Sequence, residues 1–558
     1  MISCAMRTRR NDFSLIGRLP PEVLSCIFSF HAINQPIPSD PIYNPNDPFP
    51  SSPSPTRVGL GWITVTHVCR LWRQVALSDP SLWRTIVFDL GVEWAEEMLA
   101  RSKAALIFYN RDLSFLPRIS RRRTLDDEVT LRKHLSHVRQ LVLSGSPESL
   151  EPAVRALTTP APHLESLELF RNAPHFRELC ITLPSDMFAH NAPKLRHVTL
   201  FGCAVPWDSS LFRDLTHLDI RVPPVVPFPR SAPAARTDLL AIPSLDRLLS
   251  ILEAMPFLQV LTLGNCLPPS RPDSTSRLVS LRHMTKLSLE GLLSVTVAIL
   301  ERVSLPGSAS LSLRCPDHNP VDGLLDTLMS LLAAHFRAPG TSISPLSTIT
   351  IDEADYELSV TIMVWDTDVS LNQPQFIPSA PARLHLTLGS RYKALVEFLP
   401  LQICKALPLK DLQTLSITYP EAAWSMAEWA DVSSHCPKIA HLCVGGCWAF
   451  TFAPALAERT IFPALVTLAL QEVNFFAFLS PECVQPLGMT LPVFLRARRT
   501  AGIPVRRVKI TSCVVARIWV ESFSEVVNDI VWDYDQGHDS DSQPSSAEFD
   551  YDSWSLDE

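Results

Sequence analysis

The residues of this sequence best suited to chemistry are four possible zinc ligands, Cys436, His441, Cys443 and Cys447. Thiolate and imidazole groups are the ligands that structural zinc takes when they converge as a tetrahedron. In the repeat register described below, His441 and Cys443 point outward while Cys447 points inward, so the four do not converge. We therefore predict structural roles for them and no bound metal. Zinc found in the purified protein would contradict this.

No other pattern predicts catalysis. The sequence contains no G-x-S-x-G, no phosphate-binding loop and no H-E-x-x-H, which are the common signatures of hydrolases, nucleotide-binding proteins and zinc proteases. Gly59-Leu60-Gly61 lacks the third glycine of a dinucleotide-binding fingerprint. His134 and His137 are interpreted as surface residues. We expect a protein that is not an enzyme and needs no cofactor.

A basic cluster at Arg118 and Arg121–Arg123 allows two interpretations. It could be a nuclear-import or nucleic-acid patch, or a solvated connector. The connector is favoured because the aromatic residues that stack on bases are absent from the cluster.

Composition indicates a folded chain with an acidic end. Of its 558 residues, 46% are hydrophobic and 19% are charged. A chain of this length is too long for a single core, so we predict two units or an elongated array. Nine of its acids and no Lys or Arg lie between Asp533 and Glu558, and removing them from the net charge of -8 leaves a body near +1. That body gives no electrostatic reason to bind nucleic acid. We predict that residues 532–558 form an acidic disordered tail.

The sequence also predicts a compartment. Met1–Phe13 contains three arginines but no apolar stretch after them, so a secretory signal is not expected. No apolar run approaches the roughly 18 residues needed to span a bilayer. We expect a cytoplasmic or nuclear protein without membrane contact, in which the thirteen cysteines are reduced.

From about residue 131 to 531 a short pattern recurs, apolar at its first, fourth and sixth positions. The copies are Val138-Leu141-Leu143, Leu164-Leu167-Leu169, Leu195-Val198-Leu200, Leu215-Leu218-Ile220, Leu258-Leu261-Leu263, Met284-Leu287-Leu289, Leu346-Ile349-Ile351, Leu412-Leu415-Ile417, Ile439-Leu442-Val444, Leu465-Leu468-Leu470 and Val505-Val508-Ile510. Several are 26 or 27 residues apart, which is typical of leucine-rich repeats. The ninth position, Asn or Cys in such repeats, is Asn172, Cys203, Cys266, Cys447 and Cys513 in five copies.

Each copy predicts a short strand whose apolar face is buried only when neighbouring copies stack into a curved solenoid. The outward strand residues should then line a concave face that binds a protein target. They are Glu168, His197, Asp219, Lys286, Thr414, His441, Thr467 and Lys509. The predicted fold class is α/β, with a helical module at residues 13–90, a helical connector at 91–130 and the solenoid at 131–531.

The N-terminal module begins with Leu19-Pro20-Pro21-Glu22, which is typical of a helix start because proline suits the first turn and a carboxylate complements the helix dipole. Val23, Leu24, Ile27 and Phe28 follow on one predicted face. A proline-rich insert occupies residues 35–57. The segment from Trp62 to Ala76 predicts a second helix, and Asp79-Pro80 predicts the cap of a short third one.

In order and character this module resembles the F-box, through Leu19-Pro20, Glu22-Val23-Leu24, Ile27-Phe28, Val68-Cys69, Trp72-Arg73 and Pro80-Ser81-Leu82-Trp83. The resemblance covers roughly 50 aligned residues. The insert between the first two helices is longer than the usual link. A module of this kind followed by degenerate leucine-rich repeats is similar to the F-box proteins abundant in mushroom-forming fungi.

The resemblance implies a substrate receptor of a Skp–cullin–F-box ubiquitin ligase, which binds a Skp-type adaptor and through it a cullin. The implied adaptor contacts are Leu19, Pro20, Glu22, Val23, Leu24, Ile27, Phe28, Val68, Cys69 and Trp72. About half of the apolar positions among them are expected to hold the small module together instead. The alternative is a protein-binding scaffold that uses the same surfaces without a role in ubiquitin transfer.

Overall fold

The computed structural model describes residues 15–38, 59–113, 126–172, 180–223, 242–268, 277–316, 323–337, 344–353, 359–367, 378, 380–389, 393–418, 423–478 and 485–533. The chain divides into two compact units, Met1–Ile343 and Ser344–Glu558. Most of the proline-rich insert, the basic cluster at Arg118–Arg123 and the acidic tail beyond Asp533 lie outside the described residues.

The first unit begins with the helical module. A 3₁₀ turn at Ile16–Arg18 precedes helix α1 (Pro21–Asn34), which starts within the segment Leu19–Glu22 where the sequence predicts a helix start. The predicted second helix is divided into a 3₁₀ helix at Gly61–His67 and helix α2 (Arg70–Ser78). The break falls at Cys69, whose backbone is extended (φ -155°, ψ 171°) and whose Sγ accepts a hydrogen bond from Trp72 N.

The third predicted helix is a 3₁₀ turn at Pro80–Trp83, and Asp79 caps it by accepting a hydrogen bond from Ser81 N. It leads directly into strand β1 (Thr85–Ile86).

Strand β1 opens a parallel ladder that continues through the first unit in the order β1-β2-β3-β4-β6-β8-β9-β11-β13. Its other strands are β2 (Ile107–Asp112), β3 (Val138–Gly145), β4 (Ser166–Arg171), β6 (His197–Phe201), β8 (His217–Arg221), β9 (Val260–Gly264), β11 (Lys286–Glu290) and β13 (Ser310–Cys315). Two short parallel pairs join β5 (Ile181–Thr182) to β7 (Cys203–Ala204), and β10 (Val279–Ser280) to β12 (Val303–Ser304).

Helices connect many of these strands. They are α3 (Val92–Ser102), α4 (Asp127–His134), α5 (Pro147–Arg155), α6 (Leu245–Glu253), α7 (Leu293–Leu300) and α8 (Leu324–Arg337), with 3₁₀ turns at Leu135–His137 and Met187–His190.

The predicted repeat register is confirmed in this ladder. The fourth-position residues of successive copies pair directly, Leu141 with Leu167, Leu167 with Val198, Val198 with Leu218, Leu218 with Leu261 and Leu261 with Leu287. All of them are buried. One apolar side chain per copy therefore stacks on the next at the strand spacing of about 4.8 Å, so each copy completes the core of its neighbours.

The expected boundaries of the repeat region were wrong on the N-terminal side. The connector at 91–130 was predicted to be helical, yet it contains strand β2, which already belongs to the ladder. The pattern fails there because Arg111 occupies a sixth position. Its Nε lies 2.7 Å from Asp127 Oδ1, and its guanidinium lies over the Phe88 ring.

The second unit contains a ladder in the order β16-β15-β14-β17-β18-β19-β20-β21. Strands β14 (Thr348–Glu353), β15 (Ser359–Trp365) and β16 (Leu384–Gly389) pair antiparallel. The others pair parallel, and they are β17 (Thr414–Ile417), β18 (His441–Gly445), β19 (Thr467–Gln471), β20 (Arg507–Thr511) and β21 (Asp529–Trp532). The helices are α9 (Lys393–Ala406), α10 (Met426–His435), α11 (Trp448–Ala455), α12 (Leu487–Thr500) and α13 (Arg517–Phe523).

Three ninth-position cysteines are buried and donate to strand carbonyls, and Cys203 donates to Phe201 O at 3.7 Å. Cys266 Sγ lies 3.6 Å from Ile220 O, and Cys513 Sγ lies 3.3 Å from Leu470 O while accepting from Val473 N. Cys203 is fully buried. Backbone groups that leave the ladder need such partners because an unpaired buried carbonyl is costly.

We predict that Leu287→Ala lowers the free energy of unfolding by about 2–5 kcal/mol, because the side chain is fully buried between Leu261 and Leu311 and its loss leaves a cavity. Lys286→Ala is the matched control, since Lys286 is the exposed neighbour on the opposite face of the same strand, and its effect should stay within about 0.5 kcal/mol. Urea denaturation of the full chain measures both. Equal effects of the two substitutions would show that Leu287 and Lys286 do not lie on a buried and an exposed face of strand β11.

Candidate functional site

Helix α1 is held in the module by one buried row of side chains. Leu24 and Phe28 are buried, and the Phe28 ring lies 5.1 Å from the Trp72 ring of α2. Beneath them Trp62 and Trp83 pack edge to face at 5.0 Å. Each ring centroid distance falls in the favourable range for aromatic pairs, so the four short elements form a common core.

The ends of the proline-rich insert lie close together. Trp62 N donates to Gln35 O at 2.9 Å, which joins the end of α1 to the start of the 3₁₀ helix. Gly61 has φ +51°, and a Cβ there would lie 2.5 Å from Pro36 O. The chain can make this close approach only with glycine at this position. The insert therefore leaves and re-enters the module at nearly the same place, and its length does not disturb the packing.

A second apolar row on α1 remains exposed. Val23, Ile27 and Phe30 follow the i, i+4, i+7 spacing of one helix face, and they are 43%, 43% and 68% exposed. Ile33, three residues after Phe30 on the adjoining side of the helix, is 75% exposed. We call Val23, Ile27, Phe30 and Ile33 the α1 apolar row. Exposed apolar surface of this kind is typical of interaction sites.

The entrance to the helix extends this surface. Leu15 and Ile16 are exposed beside it, Pro20 and Glu22 are exposed, and Leu19 is half-buried. Leu15, Ile16, Phe30 and Ile33 were not among the predicted contacts. The continued helical spacing after Ile27 was the signal that could have identified Phe30 and Ile33.

The predicted adaptor contacts fall into an exposed group and a buried group in the structure. Val23, Ile27 and Val68 are exposed. Leu24 and Phe28 were expected on the same face as Val23 and Ile27, but they form the buried row, so the structure assigns them to the core and removes them from the contact set.

Two more predicted contacts, both half-buried, have structural partners. Cys69 caps α2, and Trp72 packs on Phe28. Cys69 and Trp72 therefore hold elements of the module together.

Asp79 ties α1 to the end of the module. Its carboxylate accepts hydrogen bonds from Ser25 Oγ of α1 and from Ser81 N, the latter at 2.8 Å. Partial burial raises the pKa of Asp79, but the hydrogen bonds from Ser25 and Ser81 outweigh that effect and leave the pKa below its ordinary value. A carboxylate that accepts several hydrogen bonds is stabilised in its charged form.

The repeat face of the first unit carries four of the predicted target-binding residues. His197 and Lys286 are exposed, and Glu168 and Asp219 are half-buried. Their strands bring them onto one face of the ladder.

The structure adds two residues to this face that the sequence did not single out. His217 stacks on His197 with 4.3 Å between ring centroids. Burial and the neighbouring His197 lower the pKa of His217. Arg221 pairs with Asp219 at 2.8 Å. The result is a polar surface with both charge signs.

In the second unit the prediction fails at two positions. His441 and Lys509 are half-buried, but Thr414 and Thr467 are buried and therefore cannot line an exposed face. Each is a short side chain on a strand that is paired on both sides. Thr467 lies in register between His441 and Arg507, and longer neighbours shield a short side chain at a strand spacing of about 4.8 Å.

The cysteines considered as zinc ligands have structural environments. Cys436 and Cys443 are buried, and burial raises the pKa of each to about 12, so both thiols are protonated near neutral pH. Cys447 precedes α11 as its cap residue. Within the described residues no group of three or more His, Cys, Asp or Glu side chains is placed to hold a metal ion.

In the part of the chain that the structure describes, no helix has the length and apolar character needed to cross a bilayer.

The fold and its exposed surfaces define a class of protein, one that combines a small helical interaction module with leucine-rich-repeat-like strands. Comparison with known families agrees with this. Residues 16–89 match a family model described as F-box-like. F-box domains generally bind Skp-type adaptors.

Comparison with individual proteins adds little. A solved structure similar to this chain is a leucine-rich-repeat protein of Leptospira interrogans, with 13% sequence identity and a TM-score of 0.26. The match covers 77% of this chain and 96% of that one. No curated protein matches the chain.

We predict that Gly61→Ala destabilises the module by about 1–3 kcal/mol, because the added Cβ meets backbone atoms and φ is positive there. Gly59→Ala is the matched control, since a Cβ at Gly59 would make only an ordinary contact 3.7 Å from Pro38 Cγ. Hydrogen exchange of residues 21–34 in the full chain measures the difference. Unchanged exchange in Gly61→Ala would mean that the Gln35–Trp62 junction does not hold α1.

The lowered pKa of Asp79 makes part of the stability depend on pH. Its contribution is fully present above the ordinary carboxyl pKa of about 3.9 and is lost as pH falls through the lower folded-state pKa. Wild type should therefore exceed Asp79→Asn in stability by a constant amount above about pH 5, and by less below pH 4. Urea unfolding between pH 3 and 7 tests this. Ser25→Ala should reduce the difference, because it removes one of the donors.

Proposed function

We propose that this protein is a substrate-receptor subunit of a Skp–cullin–F-box ubiquitin ligase. The helical module docks a Skp-type adaptor, and the repeats hold a protein target. The chain itself supplies binding surfaces and no catalytic group, and ubiquitin transfer is left to other subunits.

The observation that carries the proposal is the α1 apolar row, which lies inside the segment that matches the F-box-like model. Val23, Ile27 and Phe30 follow one another along a single helix face and are held there by the burial of Leu24 and Phe28 on the adjacent row. A rigid apolar helix face suits the groove or helical surface of another protein, because little conformational entropy is lost on docking.

The repeat face of the first unit supports the second half of the proposal. Glu168, His197 and Asp219 present carboxylates and an imidazole on the same face of three neighbouring strands. Such a surface provides carboxylate acceptors and an imidazole for hydrogen bonds to a target protein, and polar groups of this kind determine specificity more than affinity.

We predict that the double variant Val23→Ala, Ile27→Ala weakens binding of a Skp-type adaptor by at least about 2 kcal/mol, or roughly thirtyfold in Kd, because both side chains lie in the α1 apolar row. The Leu19→Ala, Pro20→Ala variant should act similarly at the helix entrance. Leu278→Ala is the control, since Leu278 is equally apolar and exposed but lies among the repeats. Calorimetry with purified adaptor measures each Kd, and circular dichroism verifies folding.

Wild-type affinity in both double variants would refute the adaptor-docking role of this surface. If the wild-type protein does not bind a Skp-type adaptor at all, the receptor proposal fails, and the scaffold without a role in ubiquitin transfer is the remaining function.

A further inference from the structure

The second unit has an exposed apolar surface that the proposed function does not use. It consists of Phe476, Phe478, Met489, Val493, Val514 and Ile518, all of them exposed, and we call it the terminal apolar patch. Ile518 is 71% exposed. An apolar cluster of this kind is unusual on the surface of a monomer unless something covers it.

Backbone and ring contacts bring the segments that carry these residues together. Gly488 N donates to Phe475 O at 3.0 Å, and Phe475 N donates to Val514 O at 2.9 Å, which joins the start of α12 and the approach to α13 to the segment 474–478. The Phe476 ring lies 4.6 Å from the Trp519 ring. Met489 and Val493 share one face of α12 by their spacing of four residues.

The chain leaves strand β21 beside this patch. Asp533 follows the strand directly, and its Oδ2 accepts a hydrogen bond from Ser512 N at 2.6 Å. Ser512 is only two residues before Val514 of the patch. The segment that follows, residues 534–558, therefore starts next to the patch.

The sequence of residues 534–558 complements the patch in polarity and charge. It contains Phe549, Tyr551, Trp554 and Leu556 interspersed with eight acids and no Lys or Arg. Phe549 is 16 residues beyond Asp533, a stretch that can span up to about 50 Å, so the whole patch is within reach.

Exposed arginines lie on the two helices that carry patch residues. Residues 485–532 contain seven Lys or Arg, of which Arg498 is buried, and three Asp or Glu. Arg496 on α12 and Arg517 on α13 both have side chains more than half exposed. Their ion pairs with Glu525, at 3.7 Å, and Glu521, at 3.0 Å, lie at the surface, where such pairs contribute little. An acidic segment is therefore attracted to the rim of the patch while its aromatic side chains fill the apolar centre.

We propose that residues 534–558 dock onto the terminal apolar patch of the same chain, with Phe549, Tyr551, Trp554 and Leu556 covering the apolar centre and the interspersed carboxylates facing the arginines of the rim. Attachment through β21 gives the segment an effective concentration on the order of 1 mM. A segment with an intrinsic Kd of about 0.1 mM would then be docked about nine-tenths of the time.

Hydroxyl-radical footprinting with mass spectrometry tests this in the full chain. Labelling of Met489, Phe476 and Ile518 is compared between wild type and the variant Phe549→Ser, Tyr551→Ser, Trp554→Ser, Leu556→Ser, which changes no residue of the patch. We expect the variant to label these side chains several-fold, and at most about tenfold, faster. Met426, exposed outside the patch, is an internal reference and should label equally in both.

A second measurement identifies the occupant. A synthetic peptide of residues 534–558, added to the four-serine variant, should restore slow labelling, and should do so less well when Ile518→Ser is added to that variant. The exposed control Phe398→Ser should leave the restoration unchanged. Because the attraction is partly ionic, high salt should weaken the wild-type protection.

The proposal is overturned if wild type and the four-serine variant label the patch equally. It is also overturned if protection rises with protein concentration, which would make a second copy the occupant, or if it appears only when another protein is added. None of these outcomes affects adaptor binding by the α1 apolar row, so the two proposals fail independently.

Discussion

Helix α1 has more apolar side chains than the short segment folded against it can cover. The row of Leu24 and Phe28 is buried against the elements between Gly61 and Trp83, whereas the adjacent row of Val23, Ile27 and Phe30 is left in solvent. Successive residues on a helix are about 100° apart, so burying one row fixes the direction of the other. The hydrophobic packing that stabilises the module thus also orients its exposed surface.

This division between rows marks how far the sequence could predict the site. The start of α1 and its apolar character follow from Pro20, Pro21 and the spacing after Glu22. The choice of buried row does not, because it depends on where the chain returns after the insert. That return is set by the contact between Gly61 and Pro36. A sequence pattern treats Val23 and Leu24 as equivalent, and only their tertiary neighbours distinguish them.

In the repeats, by contrast, the buried positions could be predicted from the sequence. The fourth and sixth positions were recognisable because an aliphatic side chain has to occupy the equivalent core position in almost every copy. Strand β13 was missed because its first position is Ser308, and β2 was missed because Arg111 stands at a sixth position. Both strands still form, since a neighbour already aligned on one side supplies the hydrogen-bonding template. Exposure was less predictable than register, as Thr467 shows, because it depends on the length of the flanking side chains.

The α1 apolar row and the terminal apolar patch differ in what they require of an occupant. A separate protein has to bind at its own cellular concentration, so its site benefits from rigidity, and the α1 apolar row lies on a fourteen-residue helix anchored by a buried core. The terminal apolar patch is divided among three elements, the fourteen-residue helix α12, the seven-residue helix α13 and the bridged segment 474–478, so no single helix presents it. An attached segment tolerates that, because its effective concentration replaces much of the affinity that rigidity would otherwise provide. The construction of each surface therefore matches the kind of occupant proposed for it.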